Sequence, residues 1–327
     1  MLLAAAREGR IGGAGPEPAG TDVDAVPGCG VESCALDRAR PVRDAGMGFI
    51  ECPACRVLRI PPANIIYSNV LPDPRGNLSL VMRILMSLRM LWLRSAFPAL
   101  RDKHVAIADI GCGDGQFLEF LKSRGYDRVF GIEPDEVRAR NAQLRNVPVF
   151  ATRADAEASG LFGSAIDIMF VWHVLEHVDR PADFLAQYVP WLAKAGSLVI
   201  SVPNQASVQT RLFGYFSAYP DYGRHIWYHK PDYLEWFARN VPNVSAELLP
   251  DRNYEYEVFA WVDSIASAVT RQQNFIHKAV KKGEGSVARR LAATVAAIIL
   301  LPIAVVLAPF SIVSGNGSTL TFVLRRS

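Results

Sequence analysis

Residues 105–115, VAIADIGCGDG, are the stretch on which the fold of this chain depends. The run 105–108 is apolar and predicts a short strand that is buried on both faces of a parallel sheet. Asp109 ends the run, and three glycines follow at alternate positions: Gly111, Gly113 and Gly115. Residues 116–122 then place apolar side chains at helical spacing. Glycines let a ligand approach the turn closely, and the start of the helix directs free N–H groups toward it.

The spacing of these glycines separates two classes of cofactor site. The dinucleotide fingerprint G-x-G-x-x-G needs a third glycine that packs the helix against the strand. Gln116 stands at that position, so the dinucleotide pattern fails. An acid followed by G-x-G-x-G instead resembles motif I of the class I S-adenosylmethionine (SAM)-dependent methyltransferases, in which the carboxylate orients the cationic methionine end of the cofactor. A structural glycine turn in another α/β domain is the alternative.

The resemblance continues along the next predicted strands. Residues 128–133 end in Glu133, which resembles motif II and implies an acid that accepts both ribose hydroxyls. After a strand predicted at 147–150, residues 153–156 are expected to form a loop, in which the resemblance implies adenine contacts from Asp155 and Ala156. The implied cofactor set is Asp109, Gly111, Cys112, Gly113, Gly115, Glu133, Pro134, Asp155, Ala156 and Trp172. Within it, Cys112 is expected to be a small filler rather than a nucleophile.

The candidate acceptor side follows a fourth predicted strand, 166–171. Residues 172–178, WHVLEHV, resemble a segment of one large methyltransferase subgroup. Ligands of doubly wound sheets lie beyond the carboxyl ends of the strands, so the reacting methyl is expected here. Methyl transfer to a hydroxyl or a weakly acidic carbon requires a base, and imidazole titrates in a suitable range. The candidate bases are His173, His177 and His225, and a purely structural role is the alternative for each.

Two further features lie near these histidines. Glu176 and His177 resemble a metal-assisted arrangement in ubiquinone-type O-methyltransferases, but His173 replaces the acid expected three residues before Glu176, so a catalytic metal is not expected. Five aromatic residues predict either a wall for a flat or sugar-like acceptor or packing beneath a lid: Tyr215, Tyr219, Tyr222, Trp227 and Tyr228. A largely apolar helix predicted at 78–97 closes over the cofactor in the resembled family, or only packs on the sheet.

Four of the five cysteines form two close pairs near the start of the chain: Cys29 with Cys34, and Cys52 with Cys55. This format predicts a structural zinc site, in which the metal stabilises a unit too short to build its own core. Cysteines without a metal, or a disulfide that a reducing cytosol disfavours, are the alternatives. Residues 28–62 also resemble the N-terminal zinc ribbon of a methyltransferase subgroup that acts on nucleotide sugars and related metabolites.

Residues 291–313 carry no charge over a length that would span a bilayer. Basic residues precede them: Lys278, Lys281, Lys282, Arg289 and Arg290. Residues 317–325 nevertheless predict a last strand of the core sheet, which a chain that had crossed the membrane could not form. Because Pro302 and Pro309 interrupt the run, we expect an apolar hairpin that docks on an anionic lipid surface. A dimer interface, buried helices and a true span are the alternatives.

The chain of 327 residues is therefore expected to be an α/β protein with a seven-stranded, mostly parallel Rossmann-like methyltransferase sheet and helices on both faces. The predicted units are a disordered tail (1–27), a zinc-ribbon-like unit (28–62), a helical linker (63–100), a SAM-binding core (101–257), a membrane-facing insert (258–316) and a final core strand (317–327). A net charge of +3 gives no reason to expect nucleic-acid binding.

The resemblance implies a SAM-dependent methyltransferase. The apolar run and the basic residues before it predict that this enzyme is cytoplasmic and associated with the inner face of the membrane through residues 278–313. Its acceptor would be a small molecule that is quinone-like, sugar-like or lipid-linked. Two other functions stay open from the sequence: a non-catalytic scaffold that binds SAM or zinc, and a nucleotide-cofactor oxidoreductase, which the missing third glycine disfavours.

Overall fold

The computed structural model describes residues 40–44, 47–60, 80–160, 165–219, 221–222, 224–233, 244–250, 252–280 and 286–326. The predicted tail 1–27, Cys29, Cys34, Lys281 and Lys282 lie outside these residues. The described strands are β1 (Arg40–Asp44), β2 (Met47–Glu51), β3 (Leu58–Arg59), β4 (Ile107–Ile110), β5 (Val129–Ile132), β6 (Val149–Phe150), β7 (Ile166–Trp172), β8 (Leu192–Pro203), β9 (Trp227–Tyr228), β10 (Val244–Leu249) and β11 (Thr319–Arg326).

The described α-helices are α1 (Leu80–Ala96), α2 (Gln116–Ser123), α3 (Glu136–Gln143), α4 (Arg153–Ala158), α5 (Pro181–Ala186), α6 (Val208–Phe213), α7 (Tyr254–Thr270), α8 (Phe275–Val280) and α9 (Val287–Val313). Short 3₁₀ helices occur at Pro98–Arg101, Leu175–His177, Val189–Trp191 and Gly214–Phe216. Helices and strands alternate through the middle of the chain, as expected for a doubly wound α/β fold.

The central sheet has seven strands in the order β10-β11-β8-β7-β4-β5-β6. The strands from β8 through β6 are parallel, whereas β11 runs antiparallel to both β8 and β10. The predicted fold class is therefore confirmed, and the last strand of the chain lies inside the core sheet as expected. Asp109 lies opposite Gly131 of β5 and Phe170 of β7, so the tip of β4 is at the centre of the sheet.

Both faces of the sheet are covered by apolar side chains. Ala106, Ala108 and Ile110 belong to one buried cluster, whereas Val105 and Ile107 belong to a second. Alternation along a strand directs successive side chains to opposite faces, so these two clusters form the two layers of the core. The uninterrupted apolar run of the sequence is thus explained by burial on both sides.

A second sheet joins the N-terminal part of the chain to the region after β8. Its order is β1-β2-β3-β9, and Leu58 and Arg59 of β3 pair with Tyr228 and Trp227 of β9. The hydroxyl of Tyr222 also donates to the carbonyl oxygen of Gly48 at 2.7 Å. The described part of the predicted 28–62 unit is therefore integrated with the core through β9.

The stretch after β6 is a helix and not the predicted loop. Thr152 caps α4: its hydroxyl oxygen accepts the N–H of Asp155, while the Asp155 carboxylate accepts the N–H of Thr152. This reciprocal pair is a capping box, which satisfies two N–H groups at the helix start. The threonine and aspartate three residues apart were the sequence signal for a helix here.

The apolar C-terminal segment forms the single helix α9, so the predicted hairpin is wrong. Pro309 lies inside α9 and has no N–H for the carbonyl oxygen of Val305, one turn earlier. The Tyr254 hydroxyl donates to that oxygen at 2.7 Å. The other proline, Pro302, leaves the carbonyl of Ile298 without its helical donor, at a position on the exposed face. A side chain of α7 thus supplies one of the bonds that the prolines remove.

Candidate active site

A cavity of about 510 Å³ opens at the carboxyl end of β4. Five members of the predicted cofactor set line it: Asp109, Gly111, Cys112, Gly113 and Trp172. The other walls come from α1, from the start of α2, from Tyr219, and from the helices α7 and α8. A concave site at the centre of a parallel sheet is where doubly wound folds bind their ligands.

The glycine turn has the backbone that its sequence predicts. Gly111, Gly113 and Gly115 have φ angles of 76°, 56° and 72°. A Cβ at Gly111 would lie 2.4 Å from the Val174 side chain, whereas a Cβ at Gly113 would meet nothing within 4 Å. Gly111 therefore packs against the loop after β7, and Gly113 leaves open space toward the cavity.

Glu133 lies directly behind the turn. One of its carboxylate oxygens accepts the N–H of Gly113 at 2.8 Å, and the other accepts the N–H of Asp135 at 3.0 Å. Each carboxylate oxygen has a further lone pair. The structure therefore brings Glu133 to the same turn as Asp109 and fixes its orientation through the backbone.

Asp109 is buried at the end of β4, with 4% of its surface exposed. Burial raises the pKa of its carboxyl group to about 7, the charge of Arg89 opposes that rise, and Glu133 adds to it. Desolvation disfavours the charged form of a carboxylate, so this group favours a cationic ligand that would restore its charge. A perturbed acid in a cavity is a candidate functional group.

Arg89 of α1 is one of the cavity residues that the sequence analysis did not assign to the site. It forms an ion pair with Glu255 of α7, and its guanidinium lies over the rings of Trp172 at 5.4 Å and Tyr256 at 4.7 Å. Burial alone would lower the pKa of Arg89, but Tyr256 and Glu255 hold it above the ordinary value. The only sequence signal was one arginine on an otherwise apolar helix face.

The remaining members of the predicted cofactor set lie outside the cavity wall: Gly115, Glu133, Pro134, Asp155 and Ala156. Gly115 precedes α2, and a Cβ there would lie 2.7 Å from that of Ala142. Ala156 is buried, whereas the exposed Asp155 carboxylate also accepts the Thr152 hydroxyl at 2.7 Å. The adenine contacts assigned to Asp155 and Ala156 stay predictions. Burial raises the pKa of the Cys112 thiol, so this cysteine is a neutral filler of the turn.

Of the three candidate bases, His173 is the one beside the cavity. It follows β7, has a φ angle of 53°, and its ring lies 5.6 Å from that of Tyr219 and 4.7 Å from that of Tyr256, which both line the cavity. Its Nδ1 lies 3.3 Å from a carboxylate oxygen of the fully buried Glu176. Burial would raise the pKa of Glu176, but the contact with His173 and the neighbouring histidines lower it to about 2.

His177 and His225 lie together on the other side of Glu176. Their ring centroids are 4.7 Å apart, His177 is exposed, and burial lowers the pKa of His225 to about 4. At neutral pH His225 is a poor proton acceptor. Ligand atoms of Glu176, His177 and His225 lie within 4.8 Å of one another, so these three residues have the types and spacing to hold a metal ion.

The aromatic residues predicted as an acceptor wall divide into two groups. Tyr219 lines the cavity. Tyr215, Tyr222 and Tyr228 instead pack against Met47 and Phe49 of the second sheet, and Trp227 lies in the main core. The side chains of these four residues thus join the N-terminal strands to the core. From the sequence, they could have formed either an acceptor wall or packing beneath a lid.

Cys52 and Cys55 are both fully buried on a tight turn between β2 and β3. The N–H of Arg56 donates to the carbonyl oxygen of Cys52 at 2.9 Å, and Arg56 has a φ angle of 60°. The two thiols therefore lie on one compact turn. Their predicted partners Cys29 and Cys34 lie outside the described residues.

The fold and the acid–glycine turn define an α/β domain of the class I methyltransferase type. Residues 86–241, somewhat less than half of the chain, match the model of the family described as Methyltransferase domain. The match begins within α1 and ends before β10, so α7, α8 and α9 follow it.

One curated relative is the ubiquinone biosynthesis O-methyltransferase of Caulobacter sp. (strain K31), which is 27% identical over 164 residues. The alignment covers 46% of this chain and 61% of the relative. Among similar solved structures is a SAM-dependent methyltransferase from Archaeoglobus fulgidus, at 17% identity and a TM-score of 0.41 over 74% of this chain and 94% of that one.

Two other similar structures are named for different activities. The plantazolicin methyltransferase BpumL, in complex with SAH, is 15% identical with a TM-score of 0.42 over 75% of this chain and 84% of that one. The [4+2]-cyclase SpnF is 14% identical with a TM-score of 0.43 over 78% and 85%. At such low identity the chemistry must be argued from the site itself.

Proposed function

We propose that this protein is a SAM-dependent methyltransferase that acts on a small-molecule acceptor at a membrane surface. The observation that carries the proposal is the pairing of two opposite charges in one cavity. Asp109 and Arg89 both line the space in front of the Gly113 turn, and both side chains are largely buried.

This pair of charges fits the methionine end of SAM. That end carries an ammonium, a carboxylate and a sulfonium. It therefore needs a negatively charged side chain for its cations and a positively charged side chain for its carboxylate. Asp109 supplies the acid, Arg89 supplies a planar guanidinium suited to a carboxylate, and Glu133 behind the turn is an acceptor for ribose hydroxyls. A dinucleotide would instead bring two phosphates, and a buried carboxylate at the turn would repel them.

His173 is the group that we assign as the acceptor's base. Bound SAM supplies an electrophilic methyl group. The residues of the chain hold the acceptor in line with it and remove the acceptor's proton. The imidazole of His173 is positioned for this by Glu176, whose carboxylate oxygen lies 3.3 Å from its Nδ1.

Calorimetric titration with SAH tests the assignment most directly. We expect SAH to bind and NAD not to bind, and we expect Asp109→Ala to lose at least about tenfold in SAH affinity, the effect of one charged hydrogen bond. Asp127→Ala, an exposed acid near α2, is the matched control and is expected to bind SAH normally. Labelled-methyl transfer into a lipid extract of the host then identifies the acceptor. NAD binding without SAH binding would contradict the proposal.

The membrane surface is proposed from the outward face of α9. Among the described residues, α9 is the one helix long and apolar enough to cross a bilayer. Seven of its large apolar side chains are between 62% and 86% exposed: Val287, Leu291, Ile298, Ile299, Val306, Phe310 and Val313. Its opposite side is a narrow stripe of Ala293, Ala304, Ala308 and Ser311, which packs against α7.

An interfacial position of α9 agrees with its connections. The helix leads directly into β11, which pairs with β8 in the core sheet. The two ends of α9 therefore cannot lie on opposite sides of a bilayer. Arg289 and Arg290 stand in its first turn, where they would meet anionic headgroups of the cytoplasmic leaflet. Such a position favours a quinone-like or lipid-linked acceptor, in agreement with the name of the curated relative, over a free sugar.

A structural zinc ion is proposed for the N-terminal unit, with Cys52, Cys55 and the earlier pair Cys29 and Cys34 as ligands. The support is the burial of two thiols on one compact turn, an arrangement typical of zinc knuckles. Because β3 pairs with β9, the metal would stabilise the segment that carries His225.

A further inference from the structure

The cavity wall is built from two parts of the chain. The glycine turn, α1 and Trp172 form the side assigned to the cofactor. The facing side comes from Tyr219, from Tyr256 and Phe259 of α7, and from His277 of α8. Three of these four side chains lie beyond residue 241, where the match to the methyltransferase family ends. The facing side is therefore a feature of this chain's own C-terminal helices.

The rings of this facing side form a continuous series that starts at the assigned base. His173 is stacked on Tyr219 at a centroid distance of 5.6 Å with 21° between the planes. Tyr219 lies 6.3 Å from Phe259, and Phe259 lies 6.3 Å from His277. These distances fall in the range in which aromatic rings attract one another. Tyr256 closes the series at 5.8 Å from Tyr219.

The position of His277 is fixed by a buried acid. Asp263 of α7 is fully buried, and its carboxylate oxygen accepts the N–H groups of Ile276 at 2.6 Å and His277 at 3.3 Å. These bonds attach the start of α8 to the middle of α7. His277 is therefore held at the cavity by the same helix that contributes Tyr256 and Phe259.

We propose that Tyr219, Tyr256, Phe259 and His277 form a binding wall for a planar, unsaturated ring of the acceptor, and that His277 selects among such rings by a hydrogen bond to a polar substituent. This inference rests on the proposed methyltransferase function. Half-buried aromatic faces bind flat rings by stacking, whereas a puckered saturated ring of equal size cannot contact them evenly. The apolar Leu85 and Met86 of α1 also line the cavity and add apolar surface for such a ring.

Two probes of equal size test the preference for a planar ring. 2-Naphthol and trans-decahydro-2-naphthol both carry one hydroxyl, but only the first is flat. Titration of the full-length protein saturated with SAH is expected to show naphthol binding about tenfold more tightly than its saturated counterpart. Phe259→Leu is expected to remove about threefold to tenfold of that preference, and the exposed Val269→Ala of the same helix is expected to keep it. Equal affinity for the two probes in the unmodified protein would overturn the inference.

A second comparison tests the role of His277. The unmodified protein is expected to bind 2-naphthol about threefold to tenfold more tightly than naphthalene, because one hydrogen bond distinguishes them. His277→Phe keeps a ring at the position and is expected to abolish this difference while it retains the preference for planar probes. A variant that merely unfolded the wall would lose both preferences. If His277→Phe kept the naphthol preference, His277 would not be the selecting residue.

The same titrations without SAH distinguish failure of the proposed function from failure of the proposed wall. Failure of SAH to bind, with the planar preference intact, would contradict the proposed function and leave the wall as a ring-binding site. SAH binding with no planar preference would contradict the wall alone.

Discussion

Arg89 and Glu255 form a buried ion pair between α1 and α7, with 7% and 8% of their side chains exposed. The two residues are 166 positions apart, and the parallel strands of the central sheet lie between them in the sequence. Both residues line the cavity that contains the glycine turn. Their contact also links the helix before the family-type core to the first of the helices that follow it.

Substitution of Arg89 should therefore affect both stability and cofactor affinity. Arg89→Met leaves the Glu255 carboxylate buried without its partner, and we expect the free energy of unfolding in urea to fall by about 3 kcal/mol. The double variant with Glu255→Gln should regain a large part of that loss, because no uncompensated charge stays buried. Both variants should bind SAH weakly. Arg83→Met, an exposed position of the same helix, should change neither quantity. Equal losses in the single and double variants would show that the pair is not coupled.

Cofactor binding should release a proton from Asp109. Its pKa is raised to about 7 in the ligand-free protein by burial, so about half of these carboxyls are protonated at pH 7. A cationic ligand favours the ionised form. Calorimetry of SAM binding in buffers of different ionisation enthalpy should therefore detect a proton release near pH 7 that Asp109→Asn abolishes. Proton uptake, or a release that the variant retains, would contradict this assignment.

The same carboxyl should make the ligand-free protein less stable as the pH rises. A folded-state pKa above the unfolded value contributes stability that is present below about pH 4 and is lost as the pH rises through about 7. We expect Asp109→Asn to unfold at a higher temperature than the unmodified protein at pH 8, with the difference shrinking toward pH 5. Calorimetric scans at these two pH values measure it.

His173 and Glu176 should act as a unit in the methyl-transfer step. His173→Asn is expected to lower kcat by about a hundredfold or more, the usual contribution of a general base, without changing SAH affinity. Glu176→Gln should give a smaller loss, because the base stays in place without its charged partner. His104→Asn, an exposed histidine next to Asp127, is the control. The rate of labelled-methyl incorporation from SAM measures the effect. An unchanged rate in His173→Asn would show that His173 is not the general base.

The hydrogen bond from Tyr254 to Val305 should matter only because of Pro309. Tyr254→Phe is expected to lower the free energy of unfolding by about 1 kcal/mol, since the Val305 carbonyl then has no donor. In a Pro309→Ala background the new N–H reaches that carbonyl, and Tyr254→Phe should cost close to nothing. Urea unfolding of the four proteins measures the coupling. Additive effects of the two substitutions would contradict this account of the proline.

The outward face of α9 should control attachment to lipid. The unmodified protein is expected to float with vesicles of phosphatidylcholine and phosphatidylserine, and added salt should weaken but not abolish this binding. Ile298→Asp with Phe310→Asp removes two apolar anchors worth about 1.5–3 kcal/mol each, so partition should fall at least about a hundredfold. Val137→Asp, exposed on α3, should leave flotation unchanged. SAH affinity should be the same in all three proteins. Flotation of the double variant would rule out α9 as the lipid contact.

The sequence by itself determined the α/β class, the glycine turn and the last core strand. These features depend on local patterns: an apolar run for a doubly covered strand, glycines where φ is positive, and an acid at a strand end. The sequence also indicated a helix before the core, but it gave no reason to choose Arg89 among the arginines there. It failed for α9, because two prolines in an apolar run predict a bend, whereas the segment is one helix in which Tyr254 replaces the bond that Pro309 removes.

The tertiary structure decided which of these residues meet. Glu255, Tyr256, Phe259 and His277 reach the cavity because α7 and α8 pack over the sheet, and long-range packing of this kind leaves no periodic signal in a single sequence. The structure likewise placed His173 beside the cavity and His225 next to His177, although the sequence treated them alike. Local patterns fix backbone conformation, whereas the environment that sets the charge and reactivity of a side chain comes from residues that are distant along the chain.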